Sequence, residues 1–405
     1  MTQATETTAG ALPVQPFFST PQQRLAFARQ RYFDEGVRPS GLVSEGLIQS
    51  WSRCVQARRD PGEAIAFRPV TLSRAHSALQ RSRLLVSSAA GELSQLEATL
   101  AGTGCTAILT DSQGVVVHAM RSAGEQDAVL LPLASRLGVD LAEEQIGTTA
   151  PGMALRTGQS SVVLGSEHFF GCLQVMYCAA APIRDIHGQV AGVLDVSSES
   201  RPFGFDAAAV VNMAATTIEN RLLRAQSTEH IVVHLQTMPS LIGTPMEGLA
   251  GLDGHGRIAW VNPAAARLLG LAWPAHGAPV DNVFGLELAA LARLTRRDGT
   301  SAHRLPNGLM VWLVARMQSN DGAGPLVGVS GGVGTMVPAA GPTLPEHSTP
   351  PTAAPAAVAS TLRDNDRQLV EQTVRACGGN VSKAARALGV SRGLVYRHLK
   401  AASAS

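Results

Sequence analysis

The sequence predicts a multidomain α+β protein with antiparallel sheets and a C-terminal all-α helix-turn-helix, and three observations carry that prediction. Residues 379–400 hold two short helical patterns on either side of a three-residue turn. Two earlier blocks contain short apolar runs joined by Asp-x-x-Gly turns and bracketed by helical periodicity, the order that antiparallel sheets with helices at their edges demand. Residues 334–360 then carry six prolines (Pro338, Pro342, Pro345, Pro350, Pro351, Pro355) among Ala, Gly and Thr. At ~3.1 Å per residue such a tether spans on the order of 80 Å.

Composition bounds the function. A chain of 405 residues holds two or three domains. Residues 1–10 lack both a basic region and an apolar stretch, and no run approaches the ~18 apolar residues of a spanning helix, so a cytoplasmic protein without membrane contact is expected. Five scattered cysteines (Cys54, Cys105, Cys172, Cys178, Cys377) fit a reducing compartment better than a disulfide framework. The only lysines are Lys383 and Lys400, so no phosphate-binding loop of the Walker A kind, which needs a lysine, stands in the first 382 residues.

Taken in order, residues 1–20 are rich in Thr, Ala, Pro and Gln and are expected to be disordered. Residues 21–91 form a helical segment: a helix over 22–33 with Leu25, Ala28 and Tyr32 on one side, then a second that Ser44 caps, bearing Leu47, Ile48, Trp51 and Val55. Residues 72–100 are again helical. The period then changes. Runs at 105–109 and 115–119 flank Asp111-Ser112-Gln113-Gly114; further runs at 160–164, 174–183 and 189–196 follow, the last two joined by Asp185-Ile186-His187-Gly188. A helix from Asp206 to about 225 closes this unit, placed at 92–226. A second sheet unit, 238–333, opens with the hairpin around Asp253-Gly254-His255-Gly256, and Asn262-Pro263 starts a helix with proline at its first position. Pro306-Asn307-Gly308 turns between its last two strands.

The final segment, 361–405, is the most informative. Asn380 caps a helix carrying Val381, Ala384, Ala385 and Leu388; Gly389 ends it and Ser391 opens the next, with Leu394, Val395 and Leu399 on one stripe. Between Asn380 and Ser405 five cations and no carboxylate give +5, whereas the whole chain carries +2. A local positive surface around a protruding helix is the footprint of a duplex-DNA reader.

This stretch resembles the C-terminal DNA-binding motif of the Fis family, which also ends many bacterial enhancer-binding regulators. The resemblance implies that Ser391, Arg392 and Leu394 face base edges and that Ser382, Lys383, Tyr396, Arg397 and Lys400 touch phosphates or the flanking groove. Leu394 stands where the family often has Thr. It also implies a homodimer on double-stranded promoter or operator DNA, with Leu362, Leu369, Val370 and Val374 packing two subunits together. Residues 50–54, Ser-Trp-Ser-Arg-Cys, resemble the N-terminal segment of acetoin-catabolism-type regulators. Residues 144–150, Glu167-His168-Phe169 and the run 181–197 resemble a GAF domain of the same type. A GAF-like sensor implies a small-molecule effector held between sheet and middle section, for which Thr148, Thr149, His168, Tyr177 and Cys178 are the candidate lining residues. Asn262-Pro263-Ala264 resembles the helix start of a PAS domain, a unit that senses ligands in some proteins and dimerises in others. Relatives with this terminal motif commonly carry a central ATPase that remodels polymerase; without it, contact with RNA polymerase is left open and ATPase-driven remodelling is expected to be absent.

No enzyme is expected. Gly328-Val329-Ser330-Gly331-Gly332 matches a hydrolase elbow, but the glycine-rich residues after Ser330 make a poor helix. No metal or cofactor is expected: Cys172 and Cys178 lack a second pair, and His255, His276 and His303 read as surface residues rather than haem ligands. A sensory adaptor acting by protein contact, with vestigial DNA binding, remains the alternative.

Overall fold

The computed structural model describes residues 20–120, 128–296 and 299–317. The helix-turn-helix, the proline tract and Ser330 lie outside the described residues.

Helix α1 (Pro21–Arg29) begins with Thr20 accepting from the Gln23 N–H, and a single wide turn over Gln30–Asp34 replaces the end of the expected helix. Helix α2 (Glu45–Gln56) starts under the Ser44 hydroxyl, which accepts from the Leu47 N–H at 3.3 Å, and buries Leu47, Ile48, Ser50, Trp51 and Cys54. The helical pattern over 72–100 is two helices, α3 (Leu72–Arg81) and α4 (Arg83–Leu100), because Ser82 leaves the helical region at ψ 5°.

Strands β1 (Cys105–Asp111) and β2 (Val116–Ala119) form the expected hairpin. A middle section follows with short helices α5 (Leu130–Ala134), α6 (Glu143–Ile146) and α7 (Ala150–Thr157), then β3 (Ser161–Leu164), β4 (Met176–Arg184), β5 (Val190–Glu199) and the long helix α8 (Ala207–Gln226). The strands make one antiparallel sheet in the order β2-β1-β5-β4-β3. One face, with Leu109, Leu194 and Val196, packs on α4 and α8. The other, with Ile108, Val163 and Val193, packs on Trp51, Ile48, Phe169 and Phe170.

That second core does not respect the expected division at residue 91. Residues from the N-terminal helices and from the sheet share one cluster, and the boundary itself falls inside α4. The physical reason is two-sided burial. A sheet whose central strand β5 is buried almost throughout needs cover on both faces, and α2 supplies it.

The second sheet has the order β8-β7-β6-β10-β9, built from β6 (Ile231–Gln236), β7 (Gly248–Leu252), β8 (Ile258–Val261), β9 (Ser301–Arg304) and β10 (Met310–Met317). Its central strand β6 precedes the expected start at 238; it is buried along its whole length and follows α8 after a short link. Helices α9 (Pro263–Leu269), α10 (Val280–Phe284) and α11 (Leu288–Leu294) cover one face. On the other face Val232, Leu249 and Trp260 meet Leu223 of α8. Gly251 is required there, since a Cβ at this position would stand 2.1 Å from the Trp260 Nε1.

All three Asp-x-x-Gly turns use one chemistry. The carboxylates of Asp111, Asp185 and Asp253 each accept from the N–H groups two and four residues on, all at 2.9 Å, and Gly114, Gly188 and Gly256 take positive φ. Among the described residues no helix is long and apolar enough to cross a membrane.

Replacing Trp51, fully buried between α2 and the first sheet, by Ala should cost about 3–5 kcal/mol. In urea unfolding followed by circular dichroism, the loss should move the transition of the whole sheet. A separate early transition confined to the N-terminal helices would contradict the shared core.

Candidate functional site

The middle section is held between α2 and the sheet by a buried polar latch. Glu143 accepts from the Ser50 hydroxyl at 2.7 Å and from Arg53 Nη2 at 2.8 Å, and the Thr148 hydroxyl lies 2.8 Å from that of Ser50. Trp51 Nε1 donates to the Glu167 carbonyl at 2.8 Å. Arg29 donates to the carbonyls of Ser166, His168 and Phe169 while its guanidinium lies 4.7 Å from the Phe33 ring centroid. Gly147 permits this closure: at φ +66°, a Cβ there would stand 2.6 Å from the Phe170 ring.

Beneath the latch is a small cavity of about 30 Å³. Its walls are Phe67, Ile108, Leu131, Ile146, Leu173 and Met176, with Thr149, His168, Cys178, Asp195 and Ser197 as its polar members. Three of the five candidate effector residues therefore meet, Thr149, His168 and Cys178. Thr148 does not line it; its hydroxyl is engaged with Ser50 and lies 3.7 Å from the Cys54 thiol. Tyr177 falls on the opposite face of β4 by strand alternation and lines a broader outer cleft of about 580 Å³ with Leu164, Phe203 and Phe205.

Asp195 and Ser197 carry no mark in a reading that looks for hydroxyls and imidazoles in the middle section. A signal existed: Val193, Asp195 and Ser197 alternate on one face of a strand that is apolar from Val190 to Leu194, and a carboxyl after such a run needs a reason. Phe67, brought in from the N-terminal segment, could be found only from the packing.

The electrostatics follow from burial. Desolvation pushes the Asp195 carboxyl up to about 7, against the pull of the Ser197 hydroxyl, which donates to Oδ2 at 2.6 Å. It drives His168 down to about 4, so the imidazole is neutral. Nδ1 lies 2.9 Å from the Gly165 carbonyl and therefore carries the proton, leaving Nε2 to accept from the Cys178 thiol at 3.6 Å. Burial, then the nearby Asp195, raises the Cys178 thiol well above its ordinary value, and burial raises Cys54 as well. Neither is a reactive thiolate. Among the described residues no group of three or more His, Cys, Asp or Glu is placed to hold a metal ion.

Asp195 keeps its proton in the fold up to about pH 7 but loses it near 4 when unfolded. Its share of stability is complete below the unfolded value and fades as pH rises through 7. Asp195→Asn removes that dependence. Its stability relative to the wild type should therefore rise by about 2–3 kcal/mol between pH 5 and pH 8, read by denaturant titration. A constant difference across this range would mean that Asp195 is ionised throughout.

Residues 20–220 match the family described as MimR, N-terminal domain, and residues 361–401 match the bacterial regulatory protein, Fis family. The chain is 34% identical over 257 residues to the acetoin catabolism regulatory protein of Cupriavidus necator, covering 62% of this chain and 38% of that protein. It is 27% identical over 196 residues to the propane 2-monooxygenase operon transcriptional activator MimR of Mycolicibacterium smegmatis, covering 48% of this chain and 32% of that one. The chain thus spans about a third of the length of these relatives. Among solved structures, the E. coli DhaR(N)-DhaL complex aligns with a TM-score of 0.42 and 15% identity, over 68% of this chain and 100% of the matched chain. The relatives named are transcriptional regulators of the acetoin and MimR type, and in this chain residues 20–220 are similar to the MimR N-terminal domain and residues 361–401 to the Fis-family regulatory protein.

Proposed function

We propose that this chain is a DNA-binding transcriptional regulator whose activity is set by a small-molecule effector held in the cavity under the latch. The observation that carries the reading is the pairing, in one chain, of a segment at 361–401 similar to the Fis family with a segment at 20–220 similar to the MimR N-terminal domain, which holds a cavity with one unpartnered polar atom, Asp195 Oδ1. The chain acts as a cytoplasmic homodimer on promoter DNA. Arg392 reads a guanine edge with Ser391 and Leu394 beside it, while Ser382, Lys383, Tyr396, Arg397 and Lys400 position the helix on the backbone. Lacking the lysine of a phosphate-binding loop in its first 382 residues, it does not drive polymerase remodelling by ATP hydrolysis. It is not an enzyme.

Effector and DNA communicate through affinity. A ligand that binds one arrangement of the dimer better than another shifts the population toward it, by no more than its differential affinity. The second sheet, PAS-like in its sequence motif, sits against α8 and forms the route out of the sensor.

In gel retardation with DNA from its own promoter region, Arg392→Ala should lose about 1–3 kcal/mol of specific binding and relax selectivity at one base position. Lys383→Ala should weaken binding to all sequences alike and lower the salt slope by about 1. Retention of full site selectivity by Arg392→Ala would remove the proposed reading head, and no salt-dependent binding to any promoter fragment would favour an adaptor.

A further inference from the structure

The cavity holds one polar group whose hydrogen bonding is incomplete. Strand pairing sets Ile108 and Ala180 beside Asp195, and Thr106 and Cys178 beside Ser197, all on the covered face of the sheet. Asp195 Oδ2 is satisfied by Ser197, but Oδ1 has no partner, and neither has Thr106 Oγ1 one row along. The remaining polar side chains of the cavity are committed. Thr149 accepts from the Gly152 N–H as the cap of α7, and His168 is fixed by Gly165 and Cys178. A buried polar atom without a partner is unfavourable, and in native proteins it usually marks a ligand, an ordered water or a functional strain.

We propose that Asp195 is the specificity-determining group of this cavity, taking a hydrogen bond from a small uncharged donor molecule and rejecting anions. The proposal rests on the reading of the cavity as the effector site. Its chemistry comes from what surrounds the carboxyl. No Lys or Arg is among the residues that line the cavity, and Arg53 is turned to Glu143 and Arg29 to backbone carbonyls. An anion entering here would lose its hydration with no Lys or Arg in the lining to offset the cost. A cation would require Asp195 to ionise and both charges to be stripped of water, a cost that a single contact rarely repays. A neutral donor completes Oδ1 without either penalty. Size adds a limit: about 30 Å³ is room for one or two waters, so even a ligand of four heavy atoms requires the covering segment to yield.

Three probes share one four-heavy-atom planar skeleton and differ in charge: acetamide, acetate and acetamidinium. Saturation-transfer NMR on the full chain at pH 7 should show acetamide bound at least about tenfold more tightly than either ion. Asp195→Leu should weaken acetamide about tenfold. Asp195→Asn, which keeps the shape and the capacity to accept, should retain acetamide and recover acetate, so that the discrimination between the two collapses. A merely structural Asp195 would lower melting temperature in the variants without changing that ratio. Binding of all three probes with affinities and ratios unaltered in Asp195→Asn overturns this assignment while leaving the cavity as a ligand site. Absence of binding by every probe, together with no thermal shift from any larger compound of a metabolite screen, overturns both.

Discussion

The first sheet can exist only because both of its faces are covered, and the cover on the cavity side depends on Glu143. Its carboxylate is nearly buried and would be costly alone. Arg53 and the Ser50 hydroxyl from α2 complete it, and in doing so they bring Trp51 over the sheet and the Glu167 carbonyl onto the indole nitrogen. One polar contact thus registers an apolar one. Without α2, Ile108, Val163, Phe169 and Phe170 would lose a large part of their covering.

The same closure creates the cavity. Gly147 lets the chain pass under Phe170, the Glu167-His168-Phe169-Phe170 segment is pinned from outside by Arg29 and Trp51, and the sheet beneath contributes Asp195 and Ser197. A ligand in this space touches the sheet below and the pinned segment above. Any movement it causes in that segment bears on the N-terminal helices, since they hold it through backbone carbonyls.

A second joint lies on the far side. Asn262 caps α9 through Ala265 and accepts from the Leu249 N–H, and its amide donates to Asn220 of α8 and to the Glu247 carbonyl. Glu247 in turn is 2.8 Å from His234 Nδ1, the pair almost fully buried, and the carboxyl is held below its usual range by this contact against the opposing effect of burial. Arg184, beside Glu219, lies 4.9 Å from the Trp273 ring centroid. The long helix of the first unit is therefore built into the second sheet.

Much of this was legible in residue order. The Asp-x-x-Gly turns, the Ser44 cap, the Asn262-Pro263 helix start and the two sheet blocks are local, decided by a few neighbouring residues whose hydrogen bonds close within four positions. Residues 50–54 and 144–150 are recognisable as motifs, but that Ser50, Arg53, Glu143 and Thr148 are halves of one latch is a contact across 90 to 98 residues. So too, Thr149, His168 and Cys178 could be named in advance, while Tyr177 was turned away and Asp195 brought in by strand register. The sequence by itself determined the local elements and the cationic character of residues 380–405, because periodicity, caps and charge act over short distances. Only the tertiary structure decided that residues 21–91 share the core of the first sheet, that β6 is the centre of the second sheet and that a carboxyl with a free oxygen faces the cavity. Burial and strand pairing depend on partners that no local pattern specifies.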